Sequence, residues 1–276
     1  MERIIFLDID GTIRDFDGSI RPLTVKAIQA AAAAGHKVFL ATGRPAHQIE
    51  SQIMDIGFDG IVGSAGGFAE YRGNCLYHEL LPNDKTADLM KALLEEDCIL
   101  FLQTVNQNYV LTEQAPLVRR WWGLPEGGSE IEKEYFECVD DLTRIKEADK
   151  LLYFSDRVPH RSLRGPWGED FNVLGLSFRG PLAYGAEIAP AGIDKVVGVR
   201  HVIEALGFSP EAVIAVGDNE NDIEMLRFAG IGVAMGNGTD EAKEAADLIT
   251  EPLREDGLYK AFVRLGLIED IQSEGE

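Results

Sequence analysis

Ile4 to Ile9 is a short, nearly continuous apolar run, the pattern of a strand buried on both faces, and it stops at Asp8-Ile9-Asp10-Gly11-Thr12. Pro22 to Ala34 then has helical composition, opened by proline and closed by Gly35. Val38 to Ala41 is a second apolar run and ends in Thr42-Gly43-Arg44-Pro45. A further helical stretch is expected up to Ile56-Gly57, and Ile61-Val62 reads as a third strand. Strand, helix, strand, helix, strand is the rhythm of a parallel α/β sheet, and few other architectures accommodate it.

The rhythm breaks near residue 68. Phe68 to Tyr71 and Cys75 to His78 flank Arg72-Gly73-Asn74, which predicts a hairpin. Beyond it the pattern predicts a helix over 84–96 and strands near 98–105, 109–112, 151–155, 171–178 and 182–188, a separate α+β unit. The strand-helix rhythm resumes with a helix over Ile193–Leu206, a strand over Ala212–Val216, a helix over Asn221–Phe228 and a strand over Ile231–Ala234. Helices over Asp240–Ala246 and Leu258–Leu265 close the chain. Residues 1–82 and 188–276 are therefore expected to form one core, with 83–187 inserted as a second module.

Among 276 residues, 47 are acidic and 26 basic, a formal net charge of −21. That balance repels nucleic-acid backbones and anionic membrane surfaces, so neither is expected as a partner. No apolar stretch approaches the length of a membrane span, and the N-terminus lacks the apolar run and cleavage site of a signal peptide. Three scattered cysteines, Cys75, Cys98 and Cys138, read as free thiols, which together with the missing signal predicts a cytoplasmic protein. The Asn-Gly-Thr sequon at Asn237 has no secretory signal beside it and is read as chance. Oligomeric state is not legible.

The chemistry lies in where the carboxylates stand. Asp8 and Asp10 close the first strand; Asp218 closes Ala-Val-Ile-Ala-Val-Gly-Asp, with Asn221 and Asp222 just beyond. Ligands of open α/β sheets bind outside the carboxyl ends of the strands, so these residues can converge. A cluster of hard oxygen ligands without His or Cys suits Mg²⁺, and Lys195 would further offset the repulsion. Taken singly, each residue has a plainer reading: an Asp at a strand end is more often a turn residue or helix cap, and a lone lysine is usually solvated. The five histidines show no zinc spacing, and no P-loop is present. The glycines of Gly230-Ile231-Gly232 and Gly236 straddle an apolar strand instead of opening a helix, which argues against a dinucleotide fingerprint.

Taken together, these segments resemble the haloacid dehalogenase superfamily, and within it the Cof-type phosphatases. Asp8-Ile9-Asp10-Gly11-Thr12 matches the first motif, DxDGT, and Thr42-Gly43-Arg44 the second. Lys195 in its Asp194-Lys195 context resembles the third-motif lysine, and Gly217-Asp218-Asn219-Glu220-Asn221-Asp222 matches the fourth, GDxxND. The four occur in order from Asp8 to Asp222. One departure is Ala65-Gly66-Gly67, where Cof-type members usually carry Asn-Gly-Ala.

The resemblance implies an α/β fold, a Rossmann-like parallel-sheet core with an inserted α+β cap domain that sets substrate specificity. It implies a phosphatase acting on a small phosphorylated metabolite, a sugar phosphate or similar phosphomonoester, through an aspartyl-phosphate intermediate. Asp8 would be the nucleophile and Asp10 the general acid and base. Thr42, Gly43 and Lys195 would bind the phosphoryl group. Asp8, the Asp10 carbonyl and Asp218 would hold Mg²⁺, with Asn221 and Asp222 orienting that shell or adding a ligand. Arg44 either reaches the substrate or braces its loop. Arg119, Arg120, Trp121 and Trp122 either face the substrate or form a helix with its aromatics packed inward. A phosphomutase of the same superfamily and a non-catalytic phospho-ligand-binding regulatory protein are the alternatives.

Overall fold

A computed structural model describes residues 2–124, 135–176 and 180–270. By contact density the chain divides into two compact units. One comprises Met1–Arg44, Gln48–His78 and Asp194–Glu276; the other comprises Pro45–His47 and Glu79–Ile193.

In the first unit the described residues form an eight-stranded sheet. In chain order its strands are β1 (Ile4–Leu7), β2 (Lys37–Ala41), β3 (Gly60–Gly63), β4 (Phe68–Tyr71), β5 (Asn74–His78), β12 (Val213–Gly217), β13 (Ile231–Ala234) and β14 (Leu248–Ile249). Their spatial order is β14-β13-β12-β1-β2-β3-β4-β5. The six from β14 to β3 pair in parallel, and the β4–β5 hairpin closes one edge antiparallel. Arg72 and Gly73 turn that hairpin with φ of 51° and 78°, the two successive positive values that a tight right-twisted hairpin needs.

The apolar runs are continuous because both sheet faces are covered. Ile5, Leu7, Val38 and Leu40 pack on one side with the helices Pro22–Ala33 and Gly257–Arg264. Ile4, Phe6, Phe39 and Ala41 pack on the other with the helix Lys195–Leu206 and with Met225 and Leu226. The helix expected after Pro45 shrinks to a single turn at Ala46–Gln48 and four residues, Ser51–Met54. The His47 N–H bonds the Val105 carbonyl instead of continuing a helix.

The second unit is built on a six-stranded sheet: β6 (Ile99–Gln103), β7 (Asn108–Leu111), β8 (Glu137–Val139), β9 (Lys150–Ser155), β10 (Phe171–Gly175) and β11 (Tyr184–Pro190), in the order β10-β11-β9-β6-β7-β8. Only β7–β8 is parallel. The strand expected over 171–178 ends at Gly175, and residues 177–179 lie outside the described residues. Helix Asn83–Glu95 buries Leu89, Met90 and Leu93 against one face. Helix Ala115–Trp122 lies on the other, where Trp121 meets Phe154 edge-on at 5.8 Å and Trp122 lies 5.1 Å from Phe101. The aromatic pair is thus engaged with the sheet. No described helix is long and apolar enough to cross a membrane.

Candidate active site

β1 and β12 lie side by side, and the chain leaves them in opposite directions: towards β2 and β3 on one side, towards β13 and β14 on the other. Such a switch leaves a crevice beyond the carboxyl ends of the two strands. Asp8 stands at the end of β1 and Asp218 at the end of β12, and both are buried. The Asp8 N–H bonds the Val216 carbonyl at 3.0 Å, so the pairing of the strands sets the two carboxylates in register.

Lys195 opens its helix, which the Asp194 side chain caps by accepting from the Val197 N–H at 3.2 Å. Its ammonium is 2.6 Å from Asp8 Oδ1 and 2.5 Å from Asp222 Oδ1, with all three side chains buried. Asp222 is fully committed. Its other oxygen accepts the backbone N–H groups of Asp218, at 3.0 Å, and Asn219, at 3.1 Å, so it locks the Gly217–Asp222 turn while holding Lys195. Asn221 is half-buried in the same turn.

Burial pushes the Asp8 carboxyl up to about 7, against the pull of Lys195 and with the help of the Asp222 charge. Burial, together with the Asp8 and Asp222 charges, raises Asp218 to about 8. Burial alone would lower the Lys195 pKa, but Asp222 and Asp8 hold it above the ordinary lysine value. Three buried carboxylates thus share one ammonium; burial is the main cause that raises the two acids, and the neighbouring carboxylates add to it.

Asp8, Asp218 and Asp222 have oxygens within 4.8 Å of one another and are, among the described residues, the one group of three side chains able to share a metal ion. With Asp222 taken, Asp8 and Asp218 are the carboxylates that keep an oxygen free of hydrogen bonds from described residues. A hard divalent cation fits this donor set and would cancel the excess charge. Gly11 is required beside it. Its φ is +91°, and a Cβ there would come within 2.2 Å of Asp218 Oδ2.

Thr42 follows β2 and is buried. Its N–H bonds the Val62 carbonyl at 2.8 Å, and its Oγ1 accepts from the Arg44 N–H at 3.2 Å. Gly43 is half-buried beside it. The turn after β3 supports this loop: the Ser64 N–H bonds the Arg44 carbonyl and the Ala65 N–H the Thr42 carbonyl.

Asp10 stands apart from the buried cluster. Arg44 grips its carboxylate with two bonds, Nε to Oδ2 at 2.9 Å and Nη2 to Oδ1 at 2.7 Å, and Arg14 adds a contact at 3.1 Å. Both arginines also bond Glu50, Arg44 at 2.8 Å, and Arg44 reaches the Gln48 carbonyl as well. Two arginines and two carboxylates form a closed, half-exposed ring.

Asn237 was invisible as a site residue, yet it ties the site together. Its Nδ2 donates to the Gly11 carbonyl at 2.9 Å and its Oδ1 accepts from the Leu253 N–H at 2.7 Å. The sequence cue is an asparagine between two glycines just past the end of β13. The free thiols of Cys75, Cys98 and Cys138 take no part in the cluster.

A family model described as haloacid dehalogenase-like hydrolase matches residues 5–262. YkrA of Bacillus subtilis strain 168, itself only provisionally named a phosphatase, is 29% identical over 97% of this chain and 99% of its own. The 5-amino-6-(5-phospho-D-ribitylamino)uracil phosphatase YitU of the same strain is 29% identical over 93% and 95%. The structure of the subclass IIB sugar phosphatase BT4131 superposes with a TM-score of 0.80 at 25% identity, covering 96% of this chain and all of that one.

Proposed function

The chain belongs to the haloacid dehalogenase-like hydrolases and is a phosphatase; on that footing we propose that it hydrolyses a small phosphorylated metabolite, a sugar phosphate or similar phosphomonoester, with Mg²⁺ and through an aspartyl-phosphate on Asp8. The observation that carries this reading is the buried Asp8–Lys195–Asp222 chain beside Asp218 at the strand switch. Phosphatases of this superfamily generally use a divalent metal, and the regulatory alternative without turnover falls away. The names of YitU and BT4131, one for a phosphorylated ribityl compound and one for a sugar phosphate, support a hydroxyl-bearing ester.

Asp8, Asp218 and the Asp10 carbonyl would hold the metal, with Asn221 beside that shell. Once bound, it neutralises charge on the nucleophile and on the phosphoryl group in transfer. Thr42, Gly43 and Lys195 bind the phosphoryl oxygens, Lys195 also screening the nucleophile from its target. An Asp8 oxygen forms a bond to phosphorus as the ester P–O bond breaks, and the Asp10 carboxyl gives its proton to the leaving oxygen. Water then attacks the phosphorus, Asp10 takes the water's proton, and the Asp8 carboxylate departs as inorganic phosphate forms. Asp222 acts through Lys195, and Arg44 acts as a brace, because its guanidinium is occupied by Asp10, Glu50 and the Gln48 carbonyl. The inserted unit would serve as the cap that selects the leaving group.

Purified protein with Mg²⁺ is expected to hydrolyse p-nitrophenyl phosphate, and Asp8→Asn to lose the activity. Absence of turnover across a broad panel of phosphate esters would sink the reading. Isomerised hexose phosphate in place of free phosphate would instead identify the mutase.

A further inference from the structure

Arg14 is the most enclosed member of the charged ring. Its side chain is 17% exposed, against 20% for Arg44, 33% for Asp10 and 40% for Glu50. It stands in the same tight turn as Asp10. The Ile9 carbonyl accepts the N–H groups of Ile13, at 2.9 Å, and Arg14, at 2.8 Å, and the Gly11 N–H bonds back to the Arg14 carbonyl at 2.8 Å. Short bridges pair Arg14 with Asp10 on one side and Ile20 on the other. Its backbone is therefore fixed relative to that of Asp10 within one turn, whereas Arg44 approaches from the loop after β2.

The Arg14 side chain divides its two terminal nitrogens. Nη2 lies 3.1 Å from Asp10 Oδ1, and Nη1 bonds Glu50 Oε1. Its Nε is buried and, among the described residues, finds no acceptor. A buried N–H without a partner is costly, and an arginine further out could balance the same charges without that cost. What the enclosed position adds is direction. Asp10 Oδ1 meets cationic nitrogens of both arginines, whereas Oδ2 meets Arg44 Nε alone. Glu50 bonds both arginines and so fixes the far side of each guanidinium. The Asp10 carboxylate is wedged at one oxygen and less crowded at the other.

The geometry points to Arg14 as a positioning residue, which holds the Asp10 carboxylate in one place through both proton transfers and leaves Oδ2 as the oxygen that meets the leaving group. The assignment deepens the phosphatase reading and rests on it. In the first step Oδ2 gives its proton to the ester oxygen as the P–O bond breaks, and that bond's electron pair stays on the leaving oxygen. In the second, Oδ2 takes a proton from the water that attacks phosphorus, and the electron pair of the bond to Asp8 returns to Asp8. Arg14 stays protonated throughout; what it supplies is placement, to which such transfers are sensitive.

A residue of this kind shows in how the rate depends on the leaving group. A strongly basic leaving oxygen needs the proton, and a weakly basic one departs without it. The test measures kcat/KM, which covers the steps through P–O cleavage, for a graded series of phenyl phosphates from unsubstituted to p-nitro, in the wild type and in Arg14→Met. The ratio for phenyl phosphate over p-nitrophenyl phosphate is expected to fall about tenfold in the variant. A uniform fall across the series means that Arg14 serves only the fold or the phosphoryl site, and overturns the assignment. An unchanged ratio overturns it too. Should Arg14→Met not fold, Arg14→Gln, which keeps polarity without the charge, is read the same way. A wild type that turns over no ester refutes the phosphatase reading and this assignment with it, a result distinct from a wild type that is active while the variants keep its ratio.

Discussion

Two groups of charged side chains branch from the chain at Asp8 and Asp10, two residues apart, and they are built on opposite electrostatic plans. The buried cluster sets Asp8, Asp218 and Asp222 around a single Lys195. The half-exposed ring sets Asp10 and Glu50 against Arg14 and Arg44, two against two. The ring is self-sufficient, and its members pair in the ordinary sense: Glu50, although burial works against it, is held below its usual pKa by a backbone bond and by Arg44 and Arg14. The cluster is short of positive charge, and burial turns that shortage into raised pKa values at Asp8 and Asp218. An unbalanced buried group is where a cation from solution has work to do; a balanced one needs none.

The harshest way to break the contrast is to remove the cluster's only ammonium. Lys195→Met leaves Asp8 and Asp222 buried without a counter-charge, and loss of one partner of a buried pair typically costs about 3–5 kcal/mol. Urea unfolding should show a loss of that size together with loss of phosphatase activity. A variant with wild-type stability would mean that the cluster does not depend on its lysine.

The second expectation concerns pH, and the two regions should respond in opposite directions. Asp8 and Asp218 titrate near 7 and 8 in the folded protein, above their ordinary value of 3.8. Groups with raised values contribute stability that is complete below about 4 and disappears as pH climbs through 7 to 8. Mg²⁺ competes with those protons, so the rise in melting temperature on adding it should be several degrees at pH 8.5 and near zero at pH 5.5. Glu50 is lowered from 4.5, so the ring's contribution is present above that value and fades on acidification, with or without Mg²⁺. A Mg²⁺ shift of equal size at both pH values would contradict the unbalanced plan.

A smaller effect is expected in the ring. Glu50→Gln leaves Asp10 still gripped by both arginines, and exposed or half-exposed pairs contribute modestly, so the stability cost should be about 1 kcal/mol or less. The arginines lose their second anchor, however, so if Arg44 braces Asp10, kcat should fall while KM holds, because what becomes less fixed is the proton-transfer group and not a substrate contact. A rise in KM alone would return Arg44 to the role of substrate contact.

The two regions also differ in how far the sequence reveals them. Asp8, Thr42 and Asp218 each follow an apolar run that ends abruptly, so local pattern is enough to put them on strand ends, and the switch between β1 and β12 does the rest. Lys195 follows its own helix cap, Asp194. The ring, by contrast, joins residues from the β1 loop, the β2 loop and the start of the next helix through the directions of long side chains, which no periodicity encodes. Asn237 is hidden for a similar reason: its partners, Gly11 and Leu253, are far away in sequence. The shortest strands, β8 and β14, carry too few residues to alternate, and the juxtaposition of Gln103 with Asn108 and Lys150 depends on antiparallel register that only the folded sheet fixes.

The turn after β3 belongs to neither region but touches both, since Ala65 N–H bonds the carbonyl of Thr42 and Ser64 N–H that of Arg44. Ser64 and Ala65 have φ of 49° and 57°, left-handed values that cost a residue with a Cβ about 1–2 kcal/mol. Asparagine tolerates this conformation better than alanine, because its short polar side chain can bond locally. Ala65→Asn is therefore expected to stabilise the fold by about 0.5 kcal/mol in chemical denaturation. It should leave the Mg²⁺-dependent rise in melting temperature unchanged, because the backbone bonds to Thr42 and Arg44 are the same. If the substitution instead altered that rise, the turn would be coupled to the unbalanced cluster through Thr42, and the separation of the two regions would end at this loop.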